Sequence, residues 1–306
     1  MLKNIKSKYI IKEIFSYLSE GKVLKLVKYN KYFKEKIELE HRDYRKFDQI
    51  EIEITLKQFE DDYERKKMYF INKELESKFY HIFFDNDNIE QKRNYLYSNE
   101  KIEKIKVILD LEIKSFKELF NDCEYIKSIK FIKFNRSDIT DMSSLFYNCT
   151  NLTEINFDEF KTKNVTDMSY MFYNCASLTN IDFSEFITKK VKYMNDMFAW
   201  CGQLVKLDLK NFNTENVINM SEMFYSCGSL EFIDISSFNF DKVNNMEEMF
   251  TGCELLKLSN IPIFKLNSKN NDINIKQMFL DCPEELKEEI KKQNININNE
   301  AFALKL

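Results

Sequence analysis

The sequence predicts an α/β fold: a right-handed solenoid of 26-residue repeats whose strands form one parallel sheet, preceded by a small all-α module and an α/β cap. Three observations carry that prediction. All seven cysteines fall in one series, Cys123, Cys149, Cys175, Cys201, Cys227 and Cys253 at steps of 26 and then Cys282 after 29. A phenylalanine stands three residues before each of them, at Phe120, Phe146, Phe172, Phe198, Phe224, Phe250 and Phe279. Beyond the cysteine, Leu152, Ile155 and Phe157 recur as Leu178, Ile181 and Phe183, as Leu204, Leu207 and Leu209, and as Leu230, Ile233 and Ile235. Self-similarity at such a period marks a stacked array, because no single unit can bury its own apolar stripe.

In chain order, residues 1–46 read as three short amphipathic helices. Ser7 is placed to cap the first, which sets Ile10, Ile11, Ile14, Phe15 and Leu18 on one face. Residues 47–112 read as a degenerate α/β cap: "FYHIFF" from Phe79 is a strand, "NIEQKRNYLY" a helix, and Ile102, Ile105 and Val107 take the spacing of a first, cysteine-less parallel strand. Residues 113–282 hold the repeats. Val165, Met168, Met171 and Phe172 share a stripe at helical spacing, so each unit is expected to run helix, cysteine turn, strand and a Phe-bearing return. The methionine row Met168, Met194, Met220 and Met246 joins that core. Residues 283–306 form a C-terminal helical cap: Pro283 opens "PEELKEEIKK" at the first helical turn, and its glutamates suit the positive end of the helix dipole. "NSKNND" at Asn267–Asp272 reads as a surface loop.

Composition narrows the function. Four glycines leave little material for phosphate-cradling loops, and two histidines with no paired nucleophile and base leave acyl, phosphoryl or metal chemistry without a site. The expectation is a non-enzyme with no cofactor and no metal. Residues 1–46 carry 13 Lys and Arg against 6 Asp and Glu in a chain whose net charge is −4. That basic charge is spread along helix faces, so neither nucleic acid nor a membrane is expected as partner. No signal-like stretch opens the sequence and no window nears the roughly 18–20 apolar residues of a membrane span, which makes a cytoplasmic protein the expectation. With an odd number of cysteines, no CxxC pair and the histidines outside the repeat, the cysteine ladder reads as buried reduced thiols filling the corner of each unit.

The rows pointing out of the strands are the candidate contact residues. Seven residues past each cysteine stand Lys130, Asn156, Asp182, Asp208, Asp234 and Asn260. Three successive aspartates about 5 Å apart repel, and their presence points to a partner supplying Lys or Arg. Five past the cysteine the row is mixed, Ser128, Glu154, Asn180, Lys206 and Phe232, as specific recognition of a protein or peptide on a concave face requires. Lone Trp200 suits either an exposed contact or a plug at the end of the repeat helix.

"MFYNCTNLTEI" resembles the FxxCxxLxxI segment of the BspA-like leucine-rich repeat family over about Ile113 to Asp281. That resemblance implies a leucine-rich-repeat protein-interaction scaffold, or alternatively a surface or adhesion protein. "IIKEIFSYL" followed by "LKLVKYNKYFKEKI" is similar to the F-box pattern, with Lys8-Tyr9 where that family opens on Leu-Pro. This second resemblance implies a ubiquitin-ligase substrate receptor whose cullin-ligase adaptor would be gripped through Ile10, Ile14, Phe15 and Leu18; a plain helical cap is the other reading. The Lys, Asn and Ile bias is that of an A+T-rich genome and, with this module pairing, points to a protist.

Overall fold

A computed structural model describes residues 49–58, 65–85, 87–110, 112–257, 273–293 and 297–302. The expected helices of residues 1–46 and the loop at 267–272 lie outside the described residues.

The first strand, β1 (Ile50–Leu56), alternates strictly and buries Ile50, Ile52, Ile54 and Leu56 on one face. It sits at the centre of a five-stranded sheet of order β3-β5-β1-β6-β7, with β3 at Tyr80–Phe84, β5 at Ile105–Leu109, β6 at Ile126–Lys133 and β7 at Glu154–Asn156. β2 (Lys67–Tyr69) and β4 (Tyr95–Tyr97) pair as a small antiparallel ribbon, and β8 (Lys206–Asp208) and β9 (Phe232–Asp234) as a parallel one. Among the described residues the one α-helix is α1, Glu284–Gln293, directly after Pro283, with Leu286 and Ile290 buried.

Three sequence expectations change here. The segment "NIEQKRNYLY" contains no helix: Gln91 bridges Ile82 and the segment ends in β4, because Tyr95 and Tyr97 lie on one face and Leu96 is buried on the other. β5 is not a first parallel strand, since it runs antiparallel to both β1 and β3. The predicted single parallel sheet is also interrupted. β6 pairs with β7 and β8 with β9, while residues 180–182 between them carry no strand, and β1 closes the first piece antiparallel. Burial of Ile181 and Phe183 keeps that coil in place where ladder bonds do not.

A fourth change concerns the repeat itself. The stripe at Val165, Met168, Met171 and Phe172 is buried, but on turns rather than on a helix. Alternate N–H groups leave their own coil: those of Met142, Ser144, Phe146 and Asn148 donate to the carbonyls of Asp167, Ser169, Met171 and Tyr173, 25 residues on. The intervening N–H groups of Leu145, Tyr147 and Cys149 close turns onto residues three back. Two residues per coil hold left-handed φ, Ser144 at 54° and Asn148 at 58° in this one, which a helix interior cannot accommodate. Isolated parallel bridges link Asp141, Asp167, Tyr193, Asn219, Asn245 and Asn274 in succession, so each coil hydrogen-bonds the next. A spacing of three and four residues puts side chains on one side of such a turn ladder as well as of a helix, which is why pattern alone selected the wrong element.

Four side-chain ladders fill and fasten the stack. Phe120, Phe146, Phe172, Phe198, Phe224, Phe250, Phe279 and Phe302 form one column of near-parallel rings with centroids 5.3–5.8 Å apart. Each such contact adds roughly 0.5–1.5 kcal/mol beyond its area burial. The seven cysteines are buried free thiols, and from Cys149 to Cys282 each Sγ donates to the carbonyl of the column phenylalanine in the preceding coil, at 3.0–3.2 Å. Burial pushes the Cys201 thiol up to about 12, so it stays protonated and keeps its donor. Thr162, Thr188 and Thr214 are buried, and each hydroxyl both donates to a carbonyl of the next coil and accepts one of its N–H groups. Asp141, Asp167, Asn219, Asn245 and Asn274 each accept the N–H two residues on, an Asx turn that starts the turn segment.

Both ends of the turn ladder are closed by backbone that is not repeat. At the first coil, Asn72 donates its N–H to Leu119 O and its side-chain amide to Glu118 O. At the last, Gln277 and Phe279 donate to Glu300 O and Ala301 O. In the sheet below the first end, His81 bridges two carboxylates, Nδ1 to Glu90 at 3.0 Å and Nε2 to Asp110 at 3.2 Å. The hydrogen bond with Glu90, ahead of the field of Asp110, holds its pKa above the usual value despite partial desolvation.

Two outcomes follow from this packing. Phe198→Ala in the ring column loses about 3–5 kcal/mol, and Thr188→Val about 1–3 kcal/mol because it strands the Asn213 N–H and C=O; urea denaturation measures both, with Thr188→Ser near wild type. The His81 pKa is higher folded than unfolded, so its contribution is complete below the unfolded value of about 6.5 and disappears as pH rises through the folded value. Thermal melts between about pH 5 and about pH 8, a range that brackets the ordinary histidine titration, lose this slope in His81→Gln.

Candidate functional site

The strand face is built by the coil geometry above: the cysteine turn delivers the chain into a short strand, and every second side chain then points away from the core. On β8 and β9, Lys206 lies opposite Phe232, Leu207 opposite Ile233 and Asp208 opposite Asp234. Leu207 and Ile233 are buried, leaving the other two pairs outward. Phe232 is 37% exposed and the neighbouring Val205 43%. Lys257 of the following coil pairs with Glu231 and stands 5.1 Å above the Phe232 ring. On β6 and β7, Ser128 lies opposite Glu154 and Lys130 opposite Asn156. Asn180 and Asp182 are exposed on the coil between the two ribbons; Asn260 lies outside the described residues.

The structure supplies a local reason for the aspartate row. Asn156, Asp182, Asp208 and Asp234 each accept, through Oδ1, the N–H two residues further on, at 2.8–3.2 Å. They close the turn that leaves the strand. The repulsion expected along the row is also relieved at Asp208, whose second oxygen meets Lys210 Nζ at 2.7 Å. That hydrogen bond holds its carboxyl below the usual range, and Asp234 is in the field of the same ammonium. Turn closure accounts for this residue type without a partner.

Two further exposed residues of this face, Val205 and Lys210, were hidden in the sequence. Val205 stands in a column that otherwise reads Lys127, Thr153, Thr179, Glu231 and Lys257, and that single apolar break is the signal that marks it. Lys210 has no such pattern. Ile10, Ile14, Phe15 and Leu18, the adaptor-gripping set, lie outside the described residues. Among the described residues no group of three His, Cys, Asp or Glu side chains could hold a metal ion, and no helix is long and apolar enough to cross a membrane.

The family model described as "Mycoplasma protein of unknown function, DUF285" matches residues 114–231 and 203–293, together more than half of the chain. A solved structure, a T. pallidum leucine-rich repeat protein (TpLRR), is similar at 20% identity and a TM-score of 0.41, over 62% of this chain and 79% of that one. No curated protein matches.

If turn closure is the role of the row, Asp234→Ala costs about 1 kcal/mol and Asp234→Asn leaves stability near wild type. Urea denaturation of the two variants separates a cap from a repelling charge, since relief of repulsion would make both more stable.

Proposed function

Starting from the fact that this chain belongs to the DUF285 family, we propose that it is a non-enzymatic protein-interaction scaffold of the leucine-rich, BspA-like kind. On this reading the stack is a solenoid, and the strand face, its concave side, receives a protein or peptide segment. One observation carries it most: Val205 and Phe232 are both exposed in adjacent coils joined by the Phe232 N–H to Val205 O hydrogen bond, with Lys206 and Asp208 on the same ribbon, Lys210 in the turn after it and Lys257 in the coil beyond. An apolar centre with a charged rim on a rigid support is the composition of a recognition patch. The buried thiols accord with a reducing compartment, and the cytoplasm is the proposed location.

The family match begins at residue 114 and lends the F-box-like resemblance of residues 1–46 no support, so a ubiquitin-ligase adaptor is left out of the proposal. The test is proximity labelling in the native cell with the full chain. Substitution of Val205 and Phe232 by Glu removes a specific subset of neighbours, whereas Ile187→Glu, also exposed but in the Phe-bearing return, leaves it in place. An unchanged neighbour list in the double variant rejects the strand face as the binding surface.

A further inference from the structure

The turn side of the coils carries a second surface that the strand-face reading does not use. The residue before each cysteine is left-handed, and it reads Asp122, Asn148, Asn174, Trp200, Ser226, Gly252 and Asp281. Asp, Asn and Gly are the types that tolerate this backbone. Trp200 is bulky, adopts φ 63° all the same, and is 47% exposed.

Its indole completes an aromatic strip. In the column one residue earlier, Tyr147 and Tyr173 stack at 4.6 Å, Ala199 interrupts the row, and Tyr225 resumes it. The indole spans the interruption: it interacts with the Tyr173 side chain on one side, and its ring centroid lies 5.6 Å from that of Tyr225 on the other. Tyr170 joins at 6.0 Å from Tyr173.

Beside this strip runs a row of carboxylates. Asp196, Glu222 and Glu248 hold the other left-handed position in three successive coils, which are joined by the hydrogen bonds of their own N–H groups to the next coil. Tyr170 and Tyr173 lie in the field of Asp196 and Glu222, which puts rings and acids in one patch. Among the described residues none of the three acids forms an ion pair; the nearby Lys276 is taken by Glu247. Burial, then Asp196, Glu248 and Glu247, push the Glu222 carboxyl up to about 7. This patch therefore lacks positive charge and offers ring faces that attract it.

We propose that the strip formed by Trp200, Tyr173, Tyr225, Glu222 and Glu248, over the buried carboxyl of Asp196, is a docking surface for a lysine- or arginine-rich segment of a partner protein. The occupant follows from charge complementarity on two counts. A cationic side chain over Trp200 gains the attraction of the ring quadrupole, and the same charge offsets the stacked carboxylates. The acids are spread along the stack rather than converging, which fits a chain of separated cations and not a single metal ion. The left-handed tryptophan then has a use that outweighs its backbone strain.

Trp200 is the sole tryptophan of the chain, so its fluorescence reads this strip directly. The full chain is titrated with an oligolysine peptide, with an oligoglutamate peptide as control. The expected result is a saturable change in emission with oligolysine alone, weakened about tenfold in Glu222→Gln/Glu248→Gln, weakened by added salt, and unchanged in Glu159→Gln/Glu185→Gln, two exposed acids outside both surfaces. Absence of both an emission change and a calorimetric heat overturns the proposal. So does equal loss of binding in the Glu159/Glu185 variant, which would report only the general acidity of the protein. Trp200→Asn supplies a folded control, because Asn fits the left-handed backbone: it melts higher than wild type and loses oligolysine binding by calorimetry. Full binding by that folded variant also overturns the proposal.

Discussion

Everything in this stack depends on where its backbone N–H and C=O groups go. A buried peptide group must be paired, and among the described residues of the repeats there is no helix and, past β6, only strands of three residues. Pairing therefore passes between coils, alternate N–H groups reaching a carbonyl about one repeat ahead. This demand forces equal coil lengths. One inserted residue in the turn segment would set donors against donors, and the 29-residue step to Cys282 is accommodated because the ladder resumes in register at Asn274.

The side-chain ladders answer the same requirement where backbone cannot. Thr162, Thr188 and Thr214 stand in for a missing peptide pair, since a hydroxyl both gives and takes. The cysteines are suited to a similar post at the apolar corner: a thiol is small enough for it, donates weakly to the Phe carbonyl of the coil before, and demands no second partner. The Asx turns at both ends of the coil segments use the carboxylate or amide oxygen in the same way. One rule explains why polar residues recur in this sequence as strictly as apolar ones.

Much of this was legible in the amino-acid pattern, and what was not has a physical cause. The period, the ring column at Phe120 through Phe279 and the burial of the cysteines follow from spacing, because stacking turns a one-dimensional repeat into a three-dimensional column. Helix against turn ladder at Val165–Phe172 could not be separated, since both place residues three and four apart on one side. Five residues before the cysteines, the left-handed Tyr170, Asp196, Glu222 and Glu248 gave no warning either; nothing in those residue types announces such a backbone. The outward rows were found by counting from the cysteine, but the reason for aspartate at 182, 208 and 234 was a hydrogen bond two residues away, which charge patterning alone does not reveal. Val205 and Lys210 matter through neighbours in adjacent coils and are visible only once the coils are stacked.

The end pieces bear on how such a molecule changes over generations. Asn72 and the Glu300–Ala301 segment each grip a backbone position that every coil also offers its neighbour. Neither closure reads anything particular to the coil it covers. A whole-coil duplication or deletion in the interior thus leaves both lids with an equivalent seat, so the array can lengthen or shorten by recombination while its termini stay shut, and the area of its outer faces can be adjusted without redesigning the ends.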